Sequence, residues 1–157
     1  MRVTRESFNS IYNEHKNTVY AVVYNYTRNT EDAQDLTQDT FIKLLESEKI
    51  FEDSEHLKAW LIRVAINSSK NHLKFKSRFS DEEIPELPVY DDHNESSEIL
   101  IAVMSLPEKY RIPLHLFYYE DMTNRQISDI LGIPEATVKI RLKRGRERLG
   151  KILKEAE

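Results

Sequence analysis

The sequence predicts an all-α protein built from two small helical domains joined by an acidic linker. Apolar residues recur every three or four positions along most of the chain, which is the pattern of helices with one buried face. The 157 residues include three Gly and no Cys, and 32% of them are charged. The absence of Cys excludes disulfides, thiol nucleophiles and Cys-ligated zinc. Residues 80–96 (SDEEIPELPVYDDHNES), acidic and with two prolines, indicate a linker.

The N-terminal domain, residues 1–78, is expected to hold three helices. A first helix over 5–28 is amphipathic, and His15 on its apolar stripe is expected to be a satisfied core histidine. Asn29 and Thr30 are candidate caps for a second helix. A third helix is expected from about His56 to Lys76. The predicted inner faces of the second and third helices are Ala33, Leu36, Phe41, Leu44 and Leu45, and Leu57, Trp60, Leu61, Val64 and Leu73.

The linker is predicted over 79–94 and the C-terminal domain over 95–157. Ile99, Leu100, Val103 and Met104 indicate one helix of this domain. Pro107 is expected at the first position of the next helix, where its missing N–H costs nothing. Pro113 is expected to kink that helix, because it removes one backbone hydrogen bond.

Residues 123–149 (TNRQISDILGIPEATVKIRLKRGRERL) predict a helix-turn-helix. Thr123 and Gln126 fit a capping box, and Gly132 can adopt the left-handed turn that ends a short helix. Pro134 suits the first turn of the helix that follows. This second helix repeats apolar positions on one side and carries its cations elsewhere, as a helix in a major groove would. A helical hairpin whose second helix is merely solvated remains an alternative. The stripe is Val138, Leu142, Gly145, Leu149 and Ile152.

Charge is segregated along the chain, although its net value is only −4. Residues 30–55 contain nine acidic and two basic side chains, whereas residues 56–78 contain six basic and no acidic ones. Residues 139–154 contain eight basic side chains and one acidic one, Glu147. Two basic faces separated by an acidic linker favour a protein that contacts a polyanion twice. Solvated helices can show such a bias by chance.

Three motifs resemble bacterial sigma factors, especially the extracytoplasmic-function group. PEKYRIPLHLFYYEDMTNRQISDILGIPEATVKIRLKRGRERL is similar to region 4, DAQDLTQDTFIKLL to the polymerase-binding helix of region 2, and HLKAWLIRVAINSSKNHLK to the promoter-melting helix that follows it. The resemblance implies an alternative sigma factor that binds core RNA polymerase, recognises the −10 and −35 promoter elements and initiates transcription of a stress or envelope-response regulon. It also implies an anti-sigma factor as a partner. No enzyme activity, cofactor or metal is expected. A cytoplasmic location is expected, because no apolar run is long enough for membrane insertion.

The resemblance implies two DNA-binding sets. Residues at the family's −35 positions are Lys139, Ile140, Lys143 and Arg144, and Arg125 and Gln126 start the first helix of the motif. Ile140 departs from the small polar residue common in the family, and Gly145 stands where Ala is common. Residues at the −10 positions are Asp53, Ser54, His56, Lys58, Arg63, Asn67, Lys70, Asn71 and Lys74. Of these, Asn67, Lys70, Asn71 and Lys74 recur on one helix face, whereas Trp60 is expected to be core rather than a base-stacking platform.

A third set is implied to bind polymerase, on the Arg-rich coiled coil of its largest subunit. Its members are Asp32, Asp35, Leu36, Gln38, Asp39, Phe41 and Ile42. A metal site on the three aspartates, as in a small hydrolase, or a solvated acidic face are alternatives. For the whole chain, a stand-alone helix-turn-helix regulator is the principal alternative, but it leaves the N-terminal domain without a role. A scaffold that binds only proteins leaves the basic faces unexplained.

Overall fold

Seven α-helices make up the part of the chain that the computed structural model describes, residues 1–79 and 95–155. The helices are α1 (Arg5–Thr27), α2 (Thr30–Glu46), α3 (Ser54–Phe79), α4 (Glu95–Met104), α5 (Glu108–Tyr118), α6 (Asn124–Leu131) and α7 (Glu135–Glu155). The predicted all-α class is confirmed. The chain divides into two compact units, Met1–Pro85 and Glu86–Glu157. The predicted linker, 79–94, lies outside the described residues except for Phe79, which ends α3.

Local capping sets the starts of the three helices in the first unit. The Thr4 hydroxyl accepts a hydrogen bond from the Ser7 N–H in a capping box, and Arg28 ends α1 in the left-handed conformation, with φ 51°. The Asn29 side chain accepts from the Asp32 N–H at 3.0 Å, as the sequence predicted for one of its two candidate caps. Asp53 caps α3 in the same way, because its carboxylate accepts from the His56 N–H at 2.8 Å.

The core of the first unit differs from the predicted inner faces at two helices. Leu45 is 50% exposed, and the inner face of α2 is completed instead by Thr37 and Thr40. Their hydroxyls donate to the carbonyls of Ala33 and Leu36, so both can be buried without loss of hydrogen bonds.

The inner face of α3 is also rotated from its predicted position. Trp60, Val64 and Leu73 are only half-buried, and Ile62, Ala65 and Ile66 are fully buried instead. The difference arises because α3 packs against both α1 and α2. Two neighbouring helices bury a wider arc of α3 than the single narrow stripe that the sequence predicted.

The second unit contains the predicted helix-turn-helix, formed by α6 and α7. Thr123 and Gln126 form the capping box, and Gly132 ends α6 with φ 66°. The Ser128 carbonyl accepts from the N–H groups of Gly132 and Ile133, which closes the turn. Val138, Leu142 and Gly145 are buried on α7, as the stripe predicted.

One of the two prolines of α5 differs from its predicted position. Pro107 is the N-cap of α5 and not its first helical residue, and its carbonyl accepts from the N–H groups of Tyr110 and Arg111. Pro113 is buried inside α5, which continues through it. Among the seven described helices, none has both the length and the apolar character needed to cross a bilayer.

Gly145 lies at a close approach of α7 to α5. A methyl group at this position would lie 2.9 Å from Leu114 Cδ1 and 3.3 Å from Tyr110 Cβ. The Leu114 side chain can rotate away, but the Tyr110 Cβ is fixed by the backbone of α5. A residue without Cβ therefore lets the two helices meet, although Gly in a helix interior costs about 1 kcal/mol relative to Ala.

We expect Gly145→Ala and Gly150→Ala to have different effects on stability. Gly150 is exposed on the same helix, with no atom within 4 Å of an added Cβ. Gly150→Ala should therefore raise the free energy of unfolding by up to about 1 kcal/mol. Gly145→Ala should gain nothing or lose stability, because the new methyl group displaces Leu114 and presses on Tyr110. Chemical denaturation of both variants measures this difference, and equal stabilisation would contradict the close approach.

Candidate nucleic-acid and polymerase interfaces

The exposed side of α7 carries the side chains that the sequence assigned to the −35 element. Lys139, Ile140, Lys143 and Arg144 are all exposed, opposite the buried stripe that holds α7 on its unit. Ile140 is 49% exposed, which is unusual for a large apolar side chain on a cationic helix. We call Lys139, Ile140 and Lys143 the front face, because Arg144 has a different environment.

Arg144 lies at one edge of α7, beside Tyr110 of α5. Burial alone would raise the pKa of Tyr110, but the charges of Lys109 and Arg148 and hydrogen bonds from Lys109 and Arg144 lower it below its ordinary value. The Arg148 guanidinium lies 4.8 Å from the centre of the Tyr110 ring, and the Lys109 ammonium lies 5.1 Å from it. Arg144 therefore lies beside the front face, in a group of cations around Tyr110. The sequence did not predict this group.

Arg146 is held at another point of α7 by aromatic side chains of α5. Its Nε donates to the Tyr118 hydroxyl at 2.6 Å, and its guanidinium lies over the rings of Phe117 and Tyr118. Neither aromatic contact can be deduced from spacing within α7, since the partners are 28 and 29 residues away.

The start of α6 places Arg125 and Gln126 at the surface. The Gln126 carbonyl oxygen accepts from the Thr123 N–H at 2.9 Å, so the cap fixes this side chain. An amide that caps through its oxygen still has NH₂ donors. Both residues therefore stand where a helix N-terminus attracts anions.

Most of the predicted −10 residues share the exposed face of α3, which we call the melting face. It comprises Arg63, Asn67, Lys70, Asn71 and Lys74, all of them exposed.

Lys58 is an exception, because it lines a cleft with Glu14, His15 and Thr18 of α1 on the opposite side of α3. Lys58 therefore does not share the melting face, because the helical turn places residue 58 on another side of α3 from residues 63–74.

The turn before α3 is fixed by its own side chains. Asp53 caps the helix, and the His56 imidazole accepts from the Glu52 N–H at 3.0 Å. Phe51, fully buried, contacts both His56 and Trp60 edge to face, with ring centres 5.4 and 5.6 Å apart. Ser54 is exposed on this turn, whereas Trp60 is half-buried beside the core.

His15 is buried, as predicted. Its Nε2 has no hydrogen-bond partner within the described residues, and the Glu14 carboxylate is 3.9 Å away. Burial lowers the pKa of His15, and the Lys58 charge acts in the same direction against that of Glu14. The histidine is therefore a neutral core side chain at neutral pH.

The exposed face of α2 combines carboxylates with large apolar side chains. Asp35, Gln38, Asp39 and Ile42 are exposed and recur at helical spacing, and Leu45 extends the row. Ile42 is 49% and Leu45 50% exposed. We call these five residues the docking face.

Leu36 and Phe41, which the sequence interpretation included in the polymerase-binding set, do not belong to the docking face. They are only 7% and 3% exposed, and the Phe41 ring packs edge to face on Phe8 and Tyr12. Both lie on the core side of α2, so neither side chain is accessible to a partner.

Asp32 differs from the other two aspartates because it pairs with α3. Its Oδ2 lies 2.9 Å from Lys76 Nζ and 3.0 Å from His72 Nε2. Burial opposes ionisation of Asp32, but the hydrogen bonds and charges of Lys76 and His72 outweigh it and lower the pKa of the carboxyl below its ordinary value. Across residues 1–79 and 95–155, no three His, Asp or Glu side chains are grouped as a metal ion would require.

Two family models match the chain. They are Sigma-70 region 2, over residues 11–79, and Sigma-70, region 4, over residues 96–149. The chain is 30% identical to the ECF RNA polymerase sigma factor SigM of Bacillus subtilis (strain 168), over 91% of this chain and 93% of that protein. It is 28% identical to the ECF RNA polymerase sigma factor SigE of Mycolicibacterium smegmatis, over 91% of this chain but only 60% of that longer protein.

A solved structure shares the fold. The sigma factor RpoE of Bartonella quintana, crystallised in complex with the anti-sigma factor NepR, matches with a TM-score of 0.83 at 22% identity. The match covers 95% of this chain and 98% of that one.

We expect Asp32→Asn to destabilise the first unit in a pH-dependent way. Because the folded-state pKa is depressed, the stabilisation is complete above the ordinary value of 3.8 and is lost as pH falls from there through the folded-state pKa. At pH 7 the variant should lose on the order of 1 kcal/mol, and the difference from the parent should shrink below pH 4.

Glu31→Gln is the matched control for this experiment. Glu31 is exposed in the same first turn of α2, so it shares the helix dipole but not the contacts with Lys76 and His72. Urea denaturation at pH 7 and pH 3.5 measures both variants. Equal losses for the two substitutions at pH 7 would show that the Asp32 ion pairs contribute nothing measurable.

Proposed function

The chain belongs to the extracytoplasmic-function group of the sigma-70 family and is an alternative sigma factor, and we propose that its two units divide promoter recognition between them. The first unit docks on core RNA polymerase and opens the −10 element, and the second reads the −35 element. The observation that carries this proposal is the occurrence of regions 2 and 4 in one chain, in that order. A stand-alone helix-turn-helix regulator would leave the region 2 match without a role.

The docking face on α2 has the composition of a protein-binding surface. Exposed Ile42 and Leu45 supply apolar area that would gain free energy on burial, and Asp35 and Asp39 add negative charge beside it. Carboxylates repel DNA and orient a basic protein partner. These properties support polymerase binding through an Arg-rich surface. Asp32 is expected to stabilise the fold instead of contacting the polymerase.

The melting face on α3 has the groups that an opened strand requires. Arg63, Lys70 and Lys74 can neutralise phosphates, and the amides of Asn67 and Asn71 can hydrogen-bond unpaired base edges. The turn at Asp53 to His56, held by its own caps, precedes this face and suits the capture of an unpaired base. The cationic row therefore supports −10 binding without Lys58.

The front face of α7 supports duplex recognition. Lys139 and Lys143 can donate to guanine edges, and Ile140 can pack on a thymine methyl group. Arg125 and Gln126, at the start of α6, are placed for backbone phosphates. This division of roles follows helix-turn-helix docking, in which the second helix enters the major groove.

An anti-sigma factor is proposed as a further partner, acting in the cytoplasm where polymerase and promoter DNA are found. The structural neighbour with the matching fold was crystallised with such a protein. An anti-sigma factor would cover the docking face or front face, where large apolar side chains are exposed.

Transcription in vitro tests the proposed function. Core polymerase from the source organism should start transcripts at specific promoters only after this chain is added. A gel shift of the same promoter DNA should show poor binding by the chain alone. Tight sequence-specific binding without polymerase, and no added transcripts, would favour the stand-alone regulator.

We expect Asp35→Lys combined with Asp39→Lys to weaken binding to core polymerase by about tenfold or more. The reversal turns electrostatic attraction into repulsion at the acidic part of the docking face. Glu6→Lys combined with Glu155→Lys is the control, because it makes the same charge change at exposed positions on α1 and α7. Fluorescence anisotropy with labelled chain measures both. Equal affinities of the two double variants would remove the docking face from the proposal.

We expect Lys143→Ala to cost about 1–3 kcal/mol in promoter binding and to relax preference at one −35 position, since Lys143 is central on the front face. Holoenzyme binding to a panel of single-base −35 substitutions measures the change. Lys154→Ala, on the last turn of α7, should leave the ranking of the panel unchanged. If Lys143→Ala also weakens every promoter equally, Lys143 contacts phosphate only.

A further inference from the structure

A group of cations surrounds Tyr110 at one edge of α7, next to the front face, whose Ile140 lines one of the two clefts there. Two neighbouring clefts, of about 340 and 300 Å³, meet at Tyr110 and Arg144. Their linings include five cations but one carboxylate, Glu147. We call this the Tyr110 cluster: Tyr110, Lys109, Arg141, Arg144, Arg148 and Lys151.

The Tyr110 side chain organises the cluster. Arg148 and Lys109 lie over its ring at 4.8 and 5.1 Å, and Arg144 lines both clefts beside it. Tyr110 is itself only 4% exposed, so the ring is a fixed support. The lowered pKa of Tyr110 is consistent with a strongly positive potential at this point.

Like charges at this density repel one another unless an anion is present. Solubility does not explain why five cations lie around one phenol, because the same cations dispersed over the surface would keep the protein equally soluble. Guanidinium groups present several donors in a planar fork that matches the oxygens of a phosphate. The arrangement therefore fits a phosphate ligand.

The position of the cluster indicates which phosphate. Arg141 and Arg148 are seven residues apart, so they follow one edge of α7 for about 10 Å. A helix with its side chains is about 10–12 Å across and nearly fills a major groove about 12 Å wide. When the front face points at the bases, the edges of the helix lie against the phosphate backbones that form the groove walls.

We propose that the Tyr110 cluster binds backbone phosphates along one wall of the −35 major groove, independently of base sequence. This inference rests on the proposed function, because it needs α7 in the groove. It assigns Arg144 to the phosphates and limits base recognition on α7 to the front face. The Tyr110 ring holds Arg148 and Lys109 in position before the DNA arrives, which reduces the entropy lost on binding.

Charge removal at Arg148 tests the proposal in the complete holoenzyme. Arg148→Gln should lower promoter affinity roughly 3- to 10-fold for every member of a −35 substitution panel. The slope of log affinity against log salt should fall by about 0.9 for each phosphate that the variant no longer neutralises. Tyr110→Phe, which keeps the ring but removes the hydroxyl, should act in the same direction with a smaller effect.

Lys154→Gln is the matched control, because it removes the same charge from an exposed site on the same helix. Uncharged methylphosphonate linkages placed one at a time along the −35 duplex then locate the phosphates that Arg148 binds. The parent should lose affinity at one or two linkages on one strand, and Arg148→Gln should be insensitive at those same linkages. Sensitivity that persists in Arg148→Gln at every linkage would overturn the proposal.

Two further outcomes are decisive. Arg148→Gln and Lys154→Gln could have the same promoter affinity while the parent still directs specific transcription. The phosphate-binding role of the Tyr110 cluster would then be wrong, and the proposed function would stand. If the parent directs no transcription, the proposed function itself has failed. Titration of the chain with tripolyphosphate tests whether the cluster binds a free phosphate compound instead of DNA. If Arg148→Gln abolishes tripolyphosphate binding but leaves promoter affinity unchanged, the proposal is overturned.

Discussion

Close packing of helices at small residues is the constraint on which both units depend. In the second unit Gly145 allows α7 to meet α5, and that contact places the edge of α7 over Tyr110. In the first unit Ala65 and Ser69 are fully buried on α3, where the helix packs against α1 and α2. A larger side chain at these positions would push the helices apart. Because the buried stripe fixes the rotation of each helix, it also decides which side chains remain exposed.

The exposed faces then differ in sign, and the sign separates their partners. The docking face on α2 combines carboxylates with apolar side chains, whereas the melting face on α3 and the outer side of α7 are cationic. Cations attract DNA regardless of sequence, and carboxylates exclude it. Within the first unit, the Asp32 carboxylate is not part of the docking face. It pairs with Lys76 and His72 and so links α2 to α3. Two aspartates three residues apart thus have different roles because only one faces a neighbouring helix.

Local features were predictable from the sequence because they depend on residues a few positions apart. The Asn29 cap, the Thr123 capping box and the left-handed Gly132 are of this kind, and the structure confirms each. The sequence-based predictions were wrong where the burial of a residue depends on how many helices surround it. The resemblance included Leu36 and Phe41 in the polymerase-binding set, and spacing placed Leu45 in the core. The structure buries the first two and leaves Leu45 exposed. The resemblance grouped Lys58 with residues 63–74, and its place beside α1 depends on tertiary packing. Contacts such as Arg148 with Tyr110 join residues 38 positions apart and leave no mark in the periodicity of either helix.

The division between the front face and the Tyr110 cluster has a consequence for specificity. Phosphate contacts strengthen binding to every sequence equally, so they raise affinity without raising discrimination. A chain with many such contacts would be distributed over non-specific DNA, which outnumbers its promoters. Here the acidic face of α2 and a net charge of −4 oppose that attraction for the chain alone. On the proposed function, polymerase that covers the docking face would pair the carboxylates of Asp35 and Asp39 with a partner, so they would no longer repel the DNA. Binding of the polymerase and binding of the promoter would then favour one another electrostatically. The cations of α7 would therefore contact DNA mainly when the chain is bound to polymerase.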